Sequence, residues 1–159
     1  TLEEVRPGGR YLALERVQDP GNVGTLLRSA AAFGFDGVIL SEGCASVYAP
    51  KTLRASMGAA FHLNLVRLES FDEYRSLAGE REYYLFRLRN AKPLADQGKT
   101  AGAPFTLVFG NEAAGLPKDL EDFGNGVIIP HSDKIDSLNL AVAAGIGLYA
   151  FSAGARQGA

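Results

Sequence analysis

Three short segments of the chain combine glycines with side chains that are suited to holding a ligand. In the first segment, Asn22, Gly24 and Arg28 are spaced as Asn-x-Gly-x-x-x-Arg. An arginine guanidinium stays protonated in proteins and binds phosphate oxygens through paired hydrogen bonds. The hydrophobic stripe of the surrounding helix does not include Arg28, so this side chain points away from the core. The pattern fits an anion-binding site, and it also fits a capped helix that carries a solvated arginine.

The second segment follows a strongly apolar run, residues 105–109, which predicts a buried strand. Gly110, Asn111, Glu112 and Gly115 come directly after it. A turn accounts for the two glycines but not for a carboxylate next to a buried strand. The glycine spacing is also that of a phosphate-binding loop, but such a loop needs Lys and then Ser or Thr where this chain has Leu-Pro. The sequence therefore excludes a P-loop.

The third segment lies between a predicted strand that ends at Ile129 and a long apolar helix. It consists of Ser137, Leu138 and Asn139. Ser137 is predicted to be the N-cap of the helix, a role that needs no further function. Asn139 then falls inside an apolar helix, where a buried amide must find hydrogen-bond partners. Three polar segments, each following a strand, predict one common site.

Strands and helices alternate along the chain, which predicts an α/β fold with a mostly parallel sheet flanked by helices. Predicted strands cover residues 11–17, 37–40, 61–66, 82–88, 105–109 and 126–129. Predicted helices cover 23–33 with Asn22 as N-cap, 50–57, a segment that begins at Ser70, and 137–153, while 90–104 is a loop. Ligands of such sheets bind at the carboxyl ends of the strands. This rule points to the loops 19–24, 110–117 and 130–139.

The composition is that of one globular domain. The chain has 159 residues, of which 47% are hydrophobic and 21% charged, and this suits a single domain over 1–159. No apolar run approaches the roughly 20 residues that span a bilayer, and we expect no secretory signal, hence a cytoplasmic protein without a membrane partner. One cysteine, Cys44, and two histidines, His62 and His131, exclude an internal disulfide and a Cys/His zinc site. We expect no metal.

The charge distribution is uneven. The net charge is −2 and the isoelectric point is near 5.7, so the overall composition argues against a nucleic-acid partner. The first third of the chain nevertheless leans basic, through Arg6, Arg10, Arg16, Arg28, Lys51 and Arg54. Such residues usually form a solvated surface, and binding of RNA phosphates is the alternative interpretation.

Together, the three segments resemble the motifs of the SpoU–TrmH family, the RNA ribose 2′-O-methyltransferases of the SPOUT class. The matching residues are Asn22-x-Gly24-x-x-x-Arg28, then Phe109-Gly110-Asn111-Glu112-x-x-Gly115-Leu116, then Ile128-Ile129-Pro130 followed by Ser137-Leu138-Asn139. Order and spacing match over about residues 11–152. The resemblance implies a SPOUT fold with a C-terminal trefoil knot and S-adenosylmethionine as methyl donor. By motif, the implied cofactor-binding residues are Phe109, Gly110, Asn111, Gly115, Ile129 and Leu138.

The resemblance also implies methyl transfer to a ribose 2′-hydroxyl of structured RNA, either tRNA or rRNA. Arg28 is the implied catalytic residue. Because its guanidinium stays protonated, we expect it to bind phosphate and to stabilise the developing alkoxide rather than to act as a base. Asn22, Glu112, Ser137 and Asn139 are expected to position Arg28 and the ribose.

A homodimer that packs through the last helix is a further implication of the resemblance. Apolar residues cover most of the circumference of that helix, which indicates burial within the monomer or against a second subunit. The start at Thr1 leaves room for an N-terminal RNA-binding domain that is absent from this chain. Two other functions stay open: a SPOUT-like RNA-binding module without turnover, and an unrelated flavodoxin-like nucleotide-binding protein. The missing phosphate-loop lysine argues against the latter.

Overall fold

The computed structural model of the chain describes residues 5–97 and 104–152. Strands and helices alternate over these residues. The strands are β1 (Tyr11–Leu14), β2 (Gly37–Ser41), β3 (Asn64–Leu68), β4 (Glu82–Phe86), β5 (Ala91–Pro93), β6 (Phe105–Phe109) and β7 (Asn125–Ile128). The helices are α1 (Pro20–Ala32), α2 (Pro50–Ser56), α3 (Phe71–Leu77) and α4 (Leu140–Phe151), with short 3-10 turns at Ala59–His62, Leu94–Asp96 and Lys118–Leu120.

All seven strands pair in one parallel sheet, in the order β3-β2-β1-β6-β4-β7-β5. β1 lies near the centre, with Leu12 beside Val38 of β2 and beside Leu107 of β6. Because the strands run in the same direction, their carboxyl ends meet at one edge of the sheet. The segments after β1, β6 and β7 therefore lie together, as the sequence predicted, and the predicted α/β fold class is confirmed.

Each face of the sheet has its own hydrophobic core. On one face, Leu12 and Phe109 pack with residues of α1 and α4. On the other face, Tyr11 and Val108 pack with residues of α3. Strands β1 and β6 are buried at every position because helices cover both faces, and this explains their continuous apolar runs. We call the two sides the α1–α2–α4 face and the α3 face; α2 packs on α1.

Both predicted helix caps in the motif segments are wrong by a few residues. Helix α1 begins at Pro20, whose fixed φ suits the first helical position, and Asp19 is its N-cap. The Asp19 carboxylate accepts a hydrogen bond from the Asn22 amide at 3.0 Å, so Asn22 lies within the first turn. Helix α4 begins after Asn139 rather than Ser137.

Two strand predictions differ from the structure by three residues each. β1 ends at Leu14 rather than at residue 17, because Arg16 adopts a left-handed conformation with φ +55°. The predicted strand 61–66 begins only at Asn64. Met57 (φ +52°) and Gly58 (φ +82°) end α2 and lead into a 3-10 turn, where Phe61 is exposed.

The predicted loop 90–104 contains the short strand β5 and a 3-10 turn, while residues 98–103 lie outside the described residues, as does the predicted helix end at Ala153. At α3 the predicted start at Ser70 is confirmed: the Ser70 hydroxyl accepts from the Glu73 amide at 3.2 Å and caps the helix. Among the helices of the described residues, none combines the length and the apolar character that a membrane span requires.

Candidate functional site

A cavity of about 430 Å³ opens at the carboxyl edge of the sheet, between the loops that follow β4, β6 and β7. This volume lies within the roughly 300–1,000 Å³ typical of small-molecule sites. All six residues that the family resemblance assigns to the cofactor line it: Phe109, Gly110, Asn111, Gly115, Ile129 and Leu138. Glu112 and Ser137 line it as well. The fold thus brings the second and third motifs to one cavity.

The loop after β6 is closed on itself. The amide of Asn111 donates to the Gly115 carbonyl at 3.1 Å, and the Gly115 amide donates back at 3.0 Å. A side chain at Gly110 would place its Cβ 2.3 Å from the Gly115 carbonyl carbon, so only glycine fits there. Gly115 itself has φ +70°, a conformation that favours glycine. The two glycines therefore let backbone, not side chains, form this wall of the cavity.

Two side chains of this loop attach it to the segment before α1. The Asn111 amide nitrogen donates to the Arg16 carbonyl at 2.8 Å. The Glu112 carboxylate accepts from the backbone amides of Gln18 (3.3 Å) and Asp19 (3.0 Å). These bonds explain why a carboxylate follows the buried strand: it joins the first motif to the second.

The hydrogen bonds also set the charge of Glu112. Burial by itself raises the pKa of this carboxyl, but donation from the backbone amides of Asp19 and Gln18 outweighs it. The Glu112 amide and the Asn22 side chain act in the same direction, and the net result is a pKa below the ordinary value. Glu112 is therefore ionised at neutral pH, and the Asn22 side chain lies beside it.

Arg28 lies apart from this group. It follows Asn22 by six residues, which is about 9 Å along the axis of α1. Its side chain is exposed, and it is not among the residues that line the cavity. Gly24 of the same motif packs against α2, since a Cβ there would lie 2.5 Å from the Ala55 Cβ. A single chain therefore does not bring Arg28 to the cavity.

The third motif divides into two roles. Asn139 caps α4: its side-chain oxygen accepts from the amides of Ala141 (2.9 Å) and Val142 (3.3 Å). These are the partners that its amide needed, so the predicted interior position is replaced by a cap. Ser137 is exposed and lines the cavity, and Leu138 beside it is partly buried. Of the two polar side chains, Ser137 is the one that faces the cavity.

The sequence analysis missed the loop after β4. Phe86, Arg87, Leu88 and Arg89 all line the cavity. The Phe86 ring stacks on Phe109 with centroids 4.1 Å apart and an angle of 18° between the planes. The signal that could have found them is the strand rule itself, because β4 is parallel to β6 and its carboxyl end lies at the same edge.

Arg87 organises that loop. Its guanidinium donates to four backbone carbonyls, those of Leu120, Phe123, Arg89 and Asn90, at 2.8, 2.6, 3.1 and 3.2 Å. Burial lowers the pKa of the Arg87 guanidinium, although the group remains charged at neutral pH. Its hydrogen-bonding capacity is used to fix the cavity wall.

Other reactive residue types do not form a second site in the described part of the chain. No three His, Cys, Asp or Glu side chains of residues 5–97 and 104–152 cluster so as to hold a metal ion. The thiol of Cys44 is buried and lies 3.3 Å from the Leu14 carbonyl. Burial raises the pKa of the Cys44 thiol, so it stays protonated at neutral pH.

Comparison with known proteins gives consistent matches. Residues 9–149 match the family model of the SpoU rRNA Methylase family. The chain is 36% identical over 150 residues to the 23S rRNA (guanosine(2553)-2′-O)-methyltransferase RlmP of Bacillus subtilis, a match that covers 92% of this chain and 59% of that protein. The chain thus spans about three fifths of that relative's length.

Solved structures give the same result. An AdoMet-bound rRNA methyltransferase from Sinorhizobium meliloti superposes with a TM-score of 0.85 at 36% identity, over 94% of this chain and 59% of that one. The SpoU methyltransferase AviRb from Streptomyces viridochromogenes superposes with a TM-score of 0.83 at 31% identity, over 99% of this chain and 65% of that one. Since the motifs, the fold and the family model agree over most of its length, the chain belongs to the SpoU rRNA methylase family.

Proposed function

We propose that this chain is the methyltransferase domain of an enzyme that transfers a methyl group from S-adenosylmethionine to a ribose 2′-hydroxyl of rRNA or tRNA. The observation that carries the proposal is the meeting of six residues from two motifs at one cavity. The relatives support the reaction: the Bacillus protein is named for 2′-O-methylation of a guanosine in 23S rRNA, and the Sinorhizobium structure holds AdoMet.

The lining of the cavity fits this cofactor. Phe86, Phe109 and Leu140 provide apolar surface for an adenine ring and a thioether chain. Gly110 and Gly115 have no side chains, so the cofactor can come close to the backbone of this loop. S-adenosylmethionine, when bound, supplies a methyl group that is activated by the adjacent sulfonium charge. The residues that hold it in this proposal are the six named above from the second and third motifs.

The chain's own polar residues orient the RNA and stabilise charge. Arg28 binds a phosphate and stabilises the negative charge that develops on the attacking oxygen, because its guanidinium stays protonated. Glu112 holds the first motif against the second, since its oxygens accept from backbone amides. Ser137, exposed at the cavity, is the motif side chain that contacts the ribose.

A homodimer is part of the proposal. Helix α4 buries Leu148 and Phe151 but leaves Val142, Ile146 and Tyr149 exposed by 53%, 41% and 54%. The spacing of the three exposed residues places them on one side of the helix. This apolar stripe argues against complete burial of α4 within one chain and supports a second subunit as its cover. A partner subunit also offers a second Arg28, which the cavity of a single chain lacks.

The family resemblance leads to three further expectations, on the knot, the cellular location and the choice of RNA. The C-terminal trefoil knot is implied by the resemblance. A cytoplasmic location is expected because the RNA and the cofactor are both found there. The chain spans 59% of its Bacillus relative, and an N-terminal RNA-binding domain that chooses between rRNA and tRNA stays an expectation from the family resemblance.

The first test is a calorimetric titration of the purified chain with S-adenosylmethionine, and with S-adenosylhomocysteine in parallel. We expect saturable binding of one molecule per subunit. A well-folded chain that binds neither compound would overturn the methyltransferase assignment and favour an RNA-binding module without turnover.

A matched pair of variants tests Arg28. Arg28→Ala is expected to keep cofactor binding and to lower methyl transfer to RNA by about 100-fold or more, with Arg28→Lys in between. Full methylation by Arg28→Ala would remove Arg28 from the proposed mechanism.

A further inference from the structure

Large apolar side chains are exposed around α2. Tyr48, Met57 and Phe61 are exposed by 79%, 71% and 86%, and Leu53 between them by 37%. Phe61 is the most exposed large apolar side chain in the described part of the chain. The left-handed conformations of Met57 and Gly58 cause this, because they turn the chain out of α2 before β3 begins. Leu53 and Met57, four residues apart, are neighbours along the helix, and apolar patches rimmed by polar residues mark interaction sites.

The same region falls in two stretches of the sequence that contain no acidic residue. The chain has 18 acidic residues, yet none lies between residues 20 and 35 or between residues 43 and 68. The first stretch contains α1 with Arg28, and the second contains α2 with Lys51 and Arg54, all three exposed. We call Tyr48, Lys51, Arg54, Met57 and Phe61 the α2 surface. It is locally basic although the whole chain has a net charge of −2.

The α2 surface reaches the edge where the motifs meet. Helix α2 lies tightly against α1, with Ala55 and Thr52 at the position of Gly24. The Lys51 ammonium lies 4.0 Å from the position that a Cβ on Gly21 would occupy, and so covers the first turn of α1. That turn follows Asp19, which is hydrogen-bonded to Glu112 at the cavity loop. A ligand on this surface can therefore extend to the cavity edge.

Exposed aromatic rings and exposed cations on one surface suit single-stranded nucleic acid. Bases stack on aromatic side chains, while Lys and Arg bind the phosphates of the same strand. A base can stack on a protein ring only when it is free of its own neighbours, so a paired duplex does not use such a surface. A purely apolar protein partner would leave Lys51 and Arg54 without counter-charges. Neither of these two side chains forms an ion pair within residues 5–97 and 104–152.

From these observations we propose that the α2 surface binds unpaired nucleotides of the RNA substrate, with Phe61 and Tyr48 as stacking platforms and Lys51 and Arg54 as phosphate-binding side chains. The inference rests on the proposed function, because it requires an RNA substrate. It adds two points to that function: the RNA lies along the α2 surface, and the nucleotides next to the methylated one are unstacked.

Stacking is tested with three variants of one exposed residue. Binding of a fluorescein-labelled oligouridine and of an RNA duplex of equal length is measured by anisotropy. Phe61→Leu keeps the apolar volume but removes the π-face, and we expect at least about fivefold weaker binding of the single strand with no change for the duplex. Phe61→Tyr is expected to bind like the unmodified chain, and Phe61→Ala like Phe61→Leu.

The phosphate-binding role of the two cations is tested by salt dependence. For Lys51→Gln combined with Arg54→Gln, we expect the slope of log affinity against log salt on single-stranded RNA to fall by roughly 0.7 for each phosphate that is no longer neutralised. The matched control is Arg75→Gln combined with Lys118→Gln, two exposed cations outside the α2 surface. Equal slopes in the two double variants would overturn the phosphate assignment.

The remaining outcomes separate this inference from the proposed function. If the unmodified chain binds RNA and all Phe61 and Lys51/Arg54 variants bind it equally well, the α2 surface assignment is wrong and the proposed function stands. If Phe61→Leu dissociates a dimer in sedimentation and weakens RNA binding only through that dissociation, a second copy of the chain covers the surface and the inference is overturned. If the chain binds cofactor but neither RNA, the RNA substrate and this inference fail together.

Discussion

On the α3 face of the sheet, aromatic and polar side chains contact and hydrogen-bond one another. The α1–α2–α4 face, by contrast, leaves apolar and basic side chains exposed. On the α3 face, Phe71, Tyr83 and Phe123 form edge-to-face and tilted pairs 5.1–6.0 Å apart, and the Arg75 guanidinium covers Phe123 at 3.8 Å. The Tyr74 hydroxyl lies 2.6 Å from that of Thr106, fully buried. The aromatic and polar side chains of this face therefore find their partners within the chain.

On the α1–α2–α4 face the core is equally well packed, but the outer surface of the helices carries exposed apolar side chains. Its core residues in α1 and α4 are fully buried, yet Ile146 and Tyr149 of α4 and Phe61 after α2 remain exposed. The comparison teaches that the chain completes one face by itself and leaves the other for partners. We assign α4 to a second subunit and the α2 surface to RNA, both on the face that also carries the first motif.

The largest expected effect is on α4, where an introduced charge would break the subunit interface. Ile146→Asp places an unpaired carboxylate in the proposed interface, and burying such a charge costs several kcal/mol. We expect the dissociation constant of the dimer, measured by sedimentation velocity, to rise at least about 100-fold over that of the unmodified chain. The control is Ile135→Asp, the same substitution at an exposed loop residue. A dimer unaffected by Ile146→Asp would place the interface elsewhere.

Arg81→Ala would remove a network of hydrogen bonds on the α3 face. The Arg81 guanidinium donates to Tyr74, to Thr106 and to three backbone carbonyls of residues 6–9. Because hydrogen bonds to charged groups contribute most, we expect a loss of about 3 kcal/mol in the free energy of unfolding, measured with urea. Arg75→Ala, which removes an exposed ion pair with Asp72 and the contact with the Phe123 ring, should cost only about 1 kcal/mol. Equal losses would show that the network around Arg81 contributes nothing special.

Gly24→Ala tests the packing of α1 against α2. The added Cβ would lie 2.5 Å from both the Ala55 Cβ and the Thr52 carbonyl oxygen, so the helices must separate. We expect a loss of about 1–3 kcal/mol in urea unfolding and weaker RNA binding by the displaced α2 surface. Gly8→Ala is the matched control, because its Cβ would meet nothing within 4 Å, its φ is not in the left-handed region, and it lies outside both proposed interfaces. That variant should be neutral or slightly stabilised; a similar loss at both positions would contradict the packing argument.

The smallest effect is expected at the cavity edge, from Glu112→Gln. The lowered pKa of Glu112 means that its contribution to stability is fully present above the ordinary value of 4.5. That contribution is lost as the pH falls through the lowered pKa. We expect Glu112→Gln to lose about 0.5–1 kcal/mol at pH 7 and nothing below that lowered pKa, measured by urea unfolding across pH. A pH-independent difference would mean that the charge of Glu112 is not what holds the loops.

The candidate site was predictable where its residues are close in sequence to a strand end. The second motif follows β6 directly and the third lies in the loop after β7, and the parallel sheet brings both to one edge, so eight predicted residues meet at the cavity. The prediction was less accurate where a turn decides the geometry. Asp19 and Asn139, not Asn22 and Ser137, cap their helices, and the loop after β4 was overlooked although the same strand rule applied to it.

By itself, the sequence determined the alternation of strands and helices, the burial of β1 and β6 on both faces, and the identity of the motif residues, since these depend on local composition and spacing. The tertiary structure alone decided which distant groups meet. Glu112 bonds to Asp19, 93 residues away, and Arg87 reaches the Leu120 carbonyl, because strand order and register set these distances. The exposure of Phe61 depends on the left-handed conformations at Met57 and Gly58, which an apolar sequence run does not encode.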